Sequence, residues 1–149
     1  MKAKYKHTNI IARDWRSLAR FYEDVFGCTP APPERDLSGD WLSRGTGVAN
    51  ARFAGVHLRF PGCGDSGPTL EIFQYTVNEP RPATAANREG ITHLAFEVDD
   101  VEAATGQVLR YGGRRVGEVV SSAVPGVGRL TFVYVADPEG NIIELQSWG

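Results

Sequence analysis

The sequence predicts an α+β fold in which one βαβββ module is used twice, and three observations lead there. His7 and Asp14 lie seven residues apart, as do His93 and Asp100, and a glycine follows each histidine at twenty, Gly27 and Gly113. Each half then ends in a strand-like run with one carboxylate between apolar neighbours, Leu70-Glu71-Ile72 and Ile143-Glu144-Leu145. A sequence period of this kind fixes the architecture before any local motif is read. The His-to-Glu separation is 64 residues in the first half and 51 in the second. Loops absorb a difference of that size at small entropic cost.

Within each module the elements follow from pattern and punctuation. Residues 4–12 alternate as a strand, and Asp14 caps a helix over about 15–26, whose Leu18, Phe21, Tyr22, Val25 and Phe26 recur at three and four. Gly27 ends it. The Pro-rich stretch from Cys28 to Asp40 reads as a loop, followed by strands near 41–46, 51–60 and 68–76. Residues 78–90 read as the linker between a first module at about 4–77 and a second at about 91–149 of one domain. The second module predicts a strand at 91–98, a helix from Asp100 to Tyr111, and strands near 114–120, 129–136 and 141–147. Asp137-Pro138-Glu139-Gly140 turns the last hairpin. Residues 121–129, with the flexible Val124 to Gly128, read as a loop, by default a hairpin connection, with a lid as the alternative.

Composition narrows the function classes. The chain has 149 residues, a formal charge of -2 and a pI near 5.9, which suits one compact domain and argues against a nucleic-acid surface. No apolar run is long enough to span a bilayer, and the first residues run into a strand without a signal-peptide core. Cys28 and Cys63 lack CxxC spacing, so both are expected as reduced thiols in a cytoplasmic protein.

Strand alternation sorts the polar residues by face. Thr8, Ile10 and Ala12 turn to the helix, leaving His7, Asn9 and Ile11 opposite; Leu70 and Ile72 leave Glu71, Phe73 and Tyr75. In the second half His93, Ala95 and Glu97 face away from the helix, as do Glu144, Gln146 and Trp148. A lone strand histidine is usually structural, and a carboxylate between apolar residues usually faces solvent. Two histidines and two glutamates at equivalent module positions on one face instead read as a mononuclear metal site, its face the wall of a shared cleft if the sheets curl together. On that face His57, Arg59, Phe73, Tyr75 and Trp148 are candidate substrate contacts, and Arg129, after the flexible loop, is a further candidate for holding an anionic group. Glu97 stands too far from His93 along its strand to be a ligand.

Over its whole length the chain resembles the vicinal oxygen chelate superfamily, which includes glyoxalase I, methylmalonyl-CoA epimerase, extradiol dioxygenases and bleomycin-resistance proteins. The resemblance is carried by His7 with Asp14 and Phe21-Tyr22, by Leu70-Glu71, by Gly90-Ile91-Thr92-His93, and by Asp137-Pro138-Glu139-Gly140-Asn141-Ile142-Ile143-Glu144-Leu145. It implies paired modules forming an open, cup-shaped mixed sheet around one divalent metal ion, with His7, Glu71, His93 and Glu144 as ligands. Such a donor set suits Ni, Co, Zn, Mn or Fe. A chelated enolate or enediolate would be stabilised there, with Glu144 as the main acid/base and Glu71 as the second.

Departures from the pattern narrow the branch. The residues that bind glutathione in glyoxalase I, an Arg four after the first ligand and an Asn four after the second, are Ile11 and Tyr75 here, and the second catalytic Glu of the epimerase is absent from Trp41 to Phe60. The expectation is a homodimeric, metal-dependent lyase, isomerase or epimerase acting on a small molecule. A non-catalytic cup of the bleomycin-resistance type is the alternative, and an extradiol dioxygenase-like oxidoreductase a distant third.

Overall fold

The computed structural model describes residues 1–149, and the chain divides into two compact units, residues 1–80 and 81–149. Each unit builds one mixed sheet with a helix against it, so the fold class is mixed α+β. In the first unit β1 (His7–Ile11), α1 (Trp15–Phe26), β2 (Thr29–Ser38), α2 (Asp40–Thr46), β3 (Arg52–Arg59) and β4 (Thr69–Tyr75) give the strand order β1-β4-β3-β2. In the second, β5 (His93–Glu97), α3 (Val101–Arg110), β6 (Arg114–Arg115), β7 (Val120–Val124), β8 (Gly128–Ala136) and β9 (Ile142–Trp148) give β5-β9-β8-β6, with β7 also paired to β8. In both units the first strand pairs parallel with the last, and the remaining pairs are antiparallel.

Helix α1 forms where the sequence places it. Asp14 accepts the backbone N–H groups of Arg16 and Ser17, satisfying two donors that have no partner inside the helix, and the Ser17 hydroxyl donates to it at 2.7 Å. At the other end Gly27 is left-handed with φ 68°, and the N–H groups of Gly27 and Cys28 return to Glu23 and Tyr22. Leu18, Phe21 and Tyr22 are buried on the α1 face, with Leu58, Leu70 and Ile72 from β3 and β4 fully buried on the same side of the sheet. Asp100 caps α3 in the same way through Ala103 N–H. In that unit Val108, Val133, Val135, Ile143 and Leu145 are fully buried.

Four expectations are corrected. The Pro-rich stretch from Cys28 to Asp40 is not a loop, because residues 29–38 form β2 at the sheet edge. Proline lacks the N–H that a central strand must donate, but an edge strand tolerates it, and Pro32 and Pro33 fall where the β2–β3 register shifts between Ala31 and Arg35. The strand expected at 41–46 is the short helix α2, flanked by the positive-φ glycines Gly39 and Gly47. Its hydroxyls favour local bonds over a ladder: Thr46 donates to Leu42 C=O, and Ser43 accepts Ala51 N–H. The strand expected at 114–120 reduces to Arg114–Arg115, since Val116 and Gly117 both donate to Tyr134 C=O and break the ladder. Pairing resumes at 120–124, so part of the segment expected as loop is strand, joined to β8 by a tight turn at 125–127.

No helix is long and apolar enough to cross a membrane, and both cysteines are free. Burial first, with the charge of Glu23 adding, pushes the Cys28 thiol up to about 12, whereas Cys63 is exposed. A thiol-specific reagent at neutral pH is therefore expected to modify Cys63 and leave Cys28 unlabelled until the chain unfolds, which mass spectrometry of labelled peptides would read.

The Asp14 carboxyl is held below its ordinary value, chiefly by the Ser17 hydroxyl and then by the Ser17 N–H. A carboxyl with a lowered folded pKa contributes stability that is complete above its unfolded value and lost as pH falls through the folded one. Asp14→Asn should accordingly flatten part of the acid limb of a Tm-against-pH profile below about pH 4; an unchanged acid limb would remove Asp14 from the account.

Gly55 has no room for a side chain, since a Cβ there would lie 2.1 Å from Ile72 O and 2.4 Å from a Phe73 ring carbon. Gly55→Ala is expected to destabilise by about 1–3 kcal/mol or more in a denaturant titration.

Candidate functional site

The parallel pairing of first and last strands decides which polar side chains meet. In the first unit Asn9 is the register partner of Glu71, and His7 lies two residues before it. In the second, Ala95 is the partner of Glu144, and His93 again lies two residues before. The same offset on the same kind of strand pair sets each histidine beside its glutamate. His7 Nδ1 is 3.2 Å from Glu71 Oε1, and His93 Nε2 is 3.1 Å from Glu144 Oε2.

In the first unit the Glu71 carboxylate is buried and has further partners. His57, its cross-strand partner on β3, brings Nε2 to 3.2 Å from the same Oε1, and Asn9 Nδ2 donates to Oε2 at 3.4 Å. Burial lowers the His57 pKa, helped by the charges of Arg35 and His7 and opposed by that of Glu71, so the neutral imidazole is favoured. Beyond His57 the same face turns apolar. Phe73 makes an edge contact with His57 at 5.6 Å and stacks on Phe53 at 4.5 Å, and Tyr75 meets Phe53 edge-on at 5.2 Å. Leu42 of α2 closes over Phe53, Phe73 and Ala51. Phe73 is therefore buried in a small core rather than presented as an open wall, and Tyr75 is partly buried against it.

The second unit differs around its carboxylate. Tyr134 on β8 stands opposite Glu144, as His57 stands opposite Glu71, but its ring leans on His93 at 5.1 Å between centroids. The Thr92 hydroxyl lies 3.0 Å from His93 Nδ1, which fixes the ring with Nε2 toward Glu144. Trp148 shares the Glu144 face, with its indole N–H on Gln146 Oε1 at 3.2 Å.

Two basic candidates take other positions. Arg59 shares the face of His57, but its guanidinium donates to Pro30 C=O at 3.0 Å and lies 3.7 Å from the exposed Asp65 carboxylate. Arg129 shares strand parity with the buried Val133 and Val135, so alternation places it on the face away from Glu144. Arg129 drew notice for its place after the flexible loop, but strand parity decides its face. Tyr134 was missed for a related reason: its importance appears only when β8 is in register with β9.

Each unit can offer a cation one nitrogen and one oxygen. Two donors about 2.1 Å from one ion and about 90–110° apart lie about 3.0–3.4 Å from each other, and the observed 3.1 and 3.2 Å fall within that range. No group of three or more His, Cys, Asp or Glu side chains is arranged as a cation site. The donor chemistry of each pair nevertheless fits a divalent ion. A His93 that donates Nδ1–H to Thr92 keeps the Nε2 lone pair for one.

A family model described as a glyoxalase-like domain matches residues 7–146. The uncharacterized protein YaeR of Escherichia coli K12 is 25% identical over 140 residues, covering 93% of this chain and 92% of its own. Two solved structures share the fold. A glyoxalase family protein from Bacillus cereus superposes with TM-score 0.73 at 19% identity, covering 99% of this chain and 94% of that one. A glyoxalase/bleomycin resistance protein/dioxygenase family enzyme from Burkholderia phytofirmans superposes with TM-score 0.63 at 14% identity, covering 99% and 100%.

Proposed function

The chain belongs to the glyoxalase-like domain family of the vicinal oxygen chelate superfamily, and from that membership we propose that it is a divalent-metal-dependent enzyme moving a proton beside a carbonyl group of a small molecule, in a lyase, isomerase or epimerase reaction. The proposed ligands are His7, Glu71, His93 and Glu144, holding one ion per chain. One observation carries the reading: both units place a histidine two residues before the register partner of a glutamate, with nitrogen and oxygen 3.1–3.2 Å apart. A structural role for either pair alone would not require the second unit to repeat it.

The ion would supply Lewis-acid stabilisation of the negative charge that develops on the carbonyl oxygen. The chain's own residues supply the rest. Glu144 is assigned as the principal acid/base, because a carboxylate beside the reacting carbon accepts the proton and returns it, and Glu71 as the second. Thr92 fixes the His93 ring, so that Nε2 stays directed to Glu144.

Elemental analysis after dialysis and reloading with Ni, Co, Mn and Zn in turn is expected to find close to one equivalent of metal in wild type and none in His7→Ala/Glu144→Ala. With 2-oxoaldehyde thiol adducts and acyl-CoA epimers as candidate substrates, wild type should exchange the substrate's acidic hydrogen for solvent deuterium. Glu144→Gln should slow that exchange by about 10²–10⁴-fold. Full exchange by Glu144→Gln would overturn its assignment. A wild type that takes up no metal yet binds an aromatic ligand stoichiometrically would make the protein a binding cup.

A further inference from the structure

We propose that His57 is a positioning residue for Glu71, its Nε2–H holding the carboxylate in the orientation from which Glu71 binds a cation. The inference rests on the metal-dependent reading above and places a supporting residue of this chain behind one of its ligands.

Geometry carries it. His57 and Glu71 are direct partners in the antiparallel β3–β4 register, so their side chains share a face, and Nε2 stands 3.2 Å from Oε1. The imidazole is itself held in place, edge-on to Phe73 at 5.6 Å, with Phe73 stacked on Phe53 under Leu42. His57 is 22% exposed at its side chain and His7 is 47% exposed. The anchored ring thus acts as a fixed donor, and the open one can turn to meet an ion.

The second unit supplies the internal contrast. There the positions equivalent to His57 and Asn9 are Tyr134 and Ala95. Alanine has no donor, and Tyr134 packs on His93 without bonding to Glu144. One carboxylate is clamped by two donors besides its histidine, and the other has its histidine alone. A clamped carboxylate gives up little orientational freedom when it ligates, whereas an unclamped one is free to carry a proton between positions. The clamp therefore grades the two glutamates, with Glu71 as the more fixed ligand and second acid/base and Glu144 as the more mobile, principal one.

The test uses wild type, His57→Phe, which keeps a ring against Phe73 without the donor, and His57→Gln, which restores an N–H. In metal-free wild type, ¹⁵N NMR of the histidine rings should show His57 as the Nε2–H tautomer. The Glu71 carboxyl ¹³C resonance should move in His57→Phe and return toward the wild-type position in His57→Gln. Competition titration with Co²⁺ should give an affinity about ten- to a hundredfold weaker for His57→Phe, largely recovered in His57→Gln. An Nδ1–H tautomer, an unmoved Glu71 resonance, or undiminished Co²⁺ affinity in His57→Phe would overturn the proposal. Should His57→Phe fail to fold, the wild-type tautomer decides. If wild type binds no Co²⁺, the metal reading falls by itself, and the tautomer and carboxyl resonance still decide what His57 does to Glu71.

Discussion

Parallel pairing between the first and last strands of each unit is the constraint on which the rest depends. It brings together residues 64 and 51 positions apart in the chain and fixes the offset at which each histidine meets its glutamate. A side-chain period of two makes that offset unforgiving, because a one-residue slip would send His7 or His93 into the helix face. The apolar residues prevent the slip. Leu70 and Ile72 in one unit, and Ile143 and Leu145 in the other, are fully buried on the opposite side of the same strands, so register and hydrophobic burial enforce one another.

A buried carboxylate is costly unless its oxygens find donors. Glu71 meets that condition through His7, His57 and Asn9, and no buried side-chain nitrogen or oxygen in the structure is left without a partner. The surrounding shell is therefore part of what allows a charged group on this strand. Glu144, with His93 alone as its side-chain partner, follows a different solution. The two modules thus differ in what surrounds the carboxylate, while the register that places it is the same.

Much of the fold was legible in residues 1–149 because the signals were local. Asp14 and Asp100 announce helix starts, Gly27 announces an end, and alternation in 52–59, 69–75 and 142–148 marks strands. What was not legible depended on position within a sheet. Prolines at 30, 32 and 33 look like loop residues, and they become strand residues only because β2 is an edge whose N–H groups are not all needed. Residues 40–46 have too few apolar positions to announce a helix, and the sheet under Leu42 supplies the burial that holds one. The same limit applied to Arg129, Tyr134 and Phe73, whose surroundings depend on strand registers and a neighbouring helix.

The sequence alone determined the family and the repeat, and singled out the four residues of the proposed cation site, since identity and alternation are properties of the chain itself. Tertiary structure alone decided how those residues are partnered. His57 was visible as a histidine on the right face, but its place directly against Glu71 follows from the β3–β4 register, and its rigidity from packing beneath Phe73 and Leu42. Contacts between strands are set by pairing and burial across the whole unit, and no local stretch of sequence contains that information.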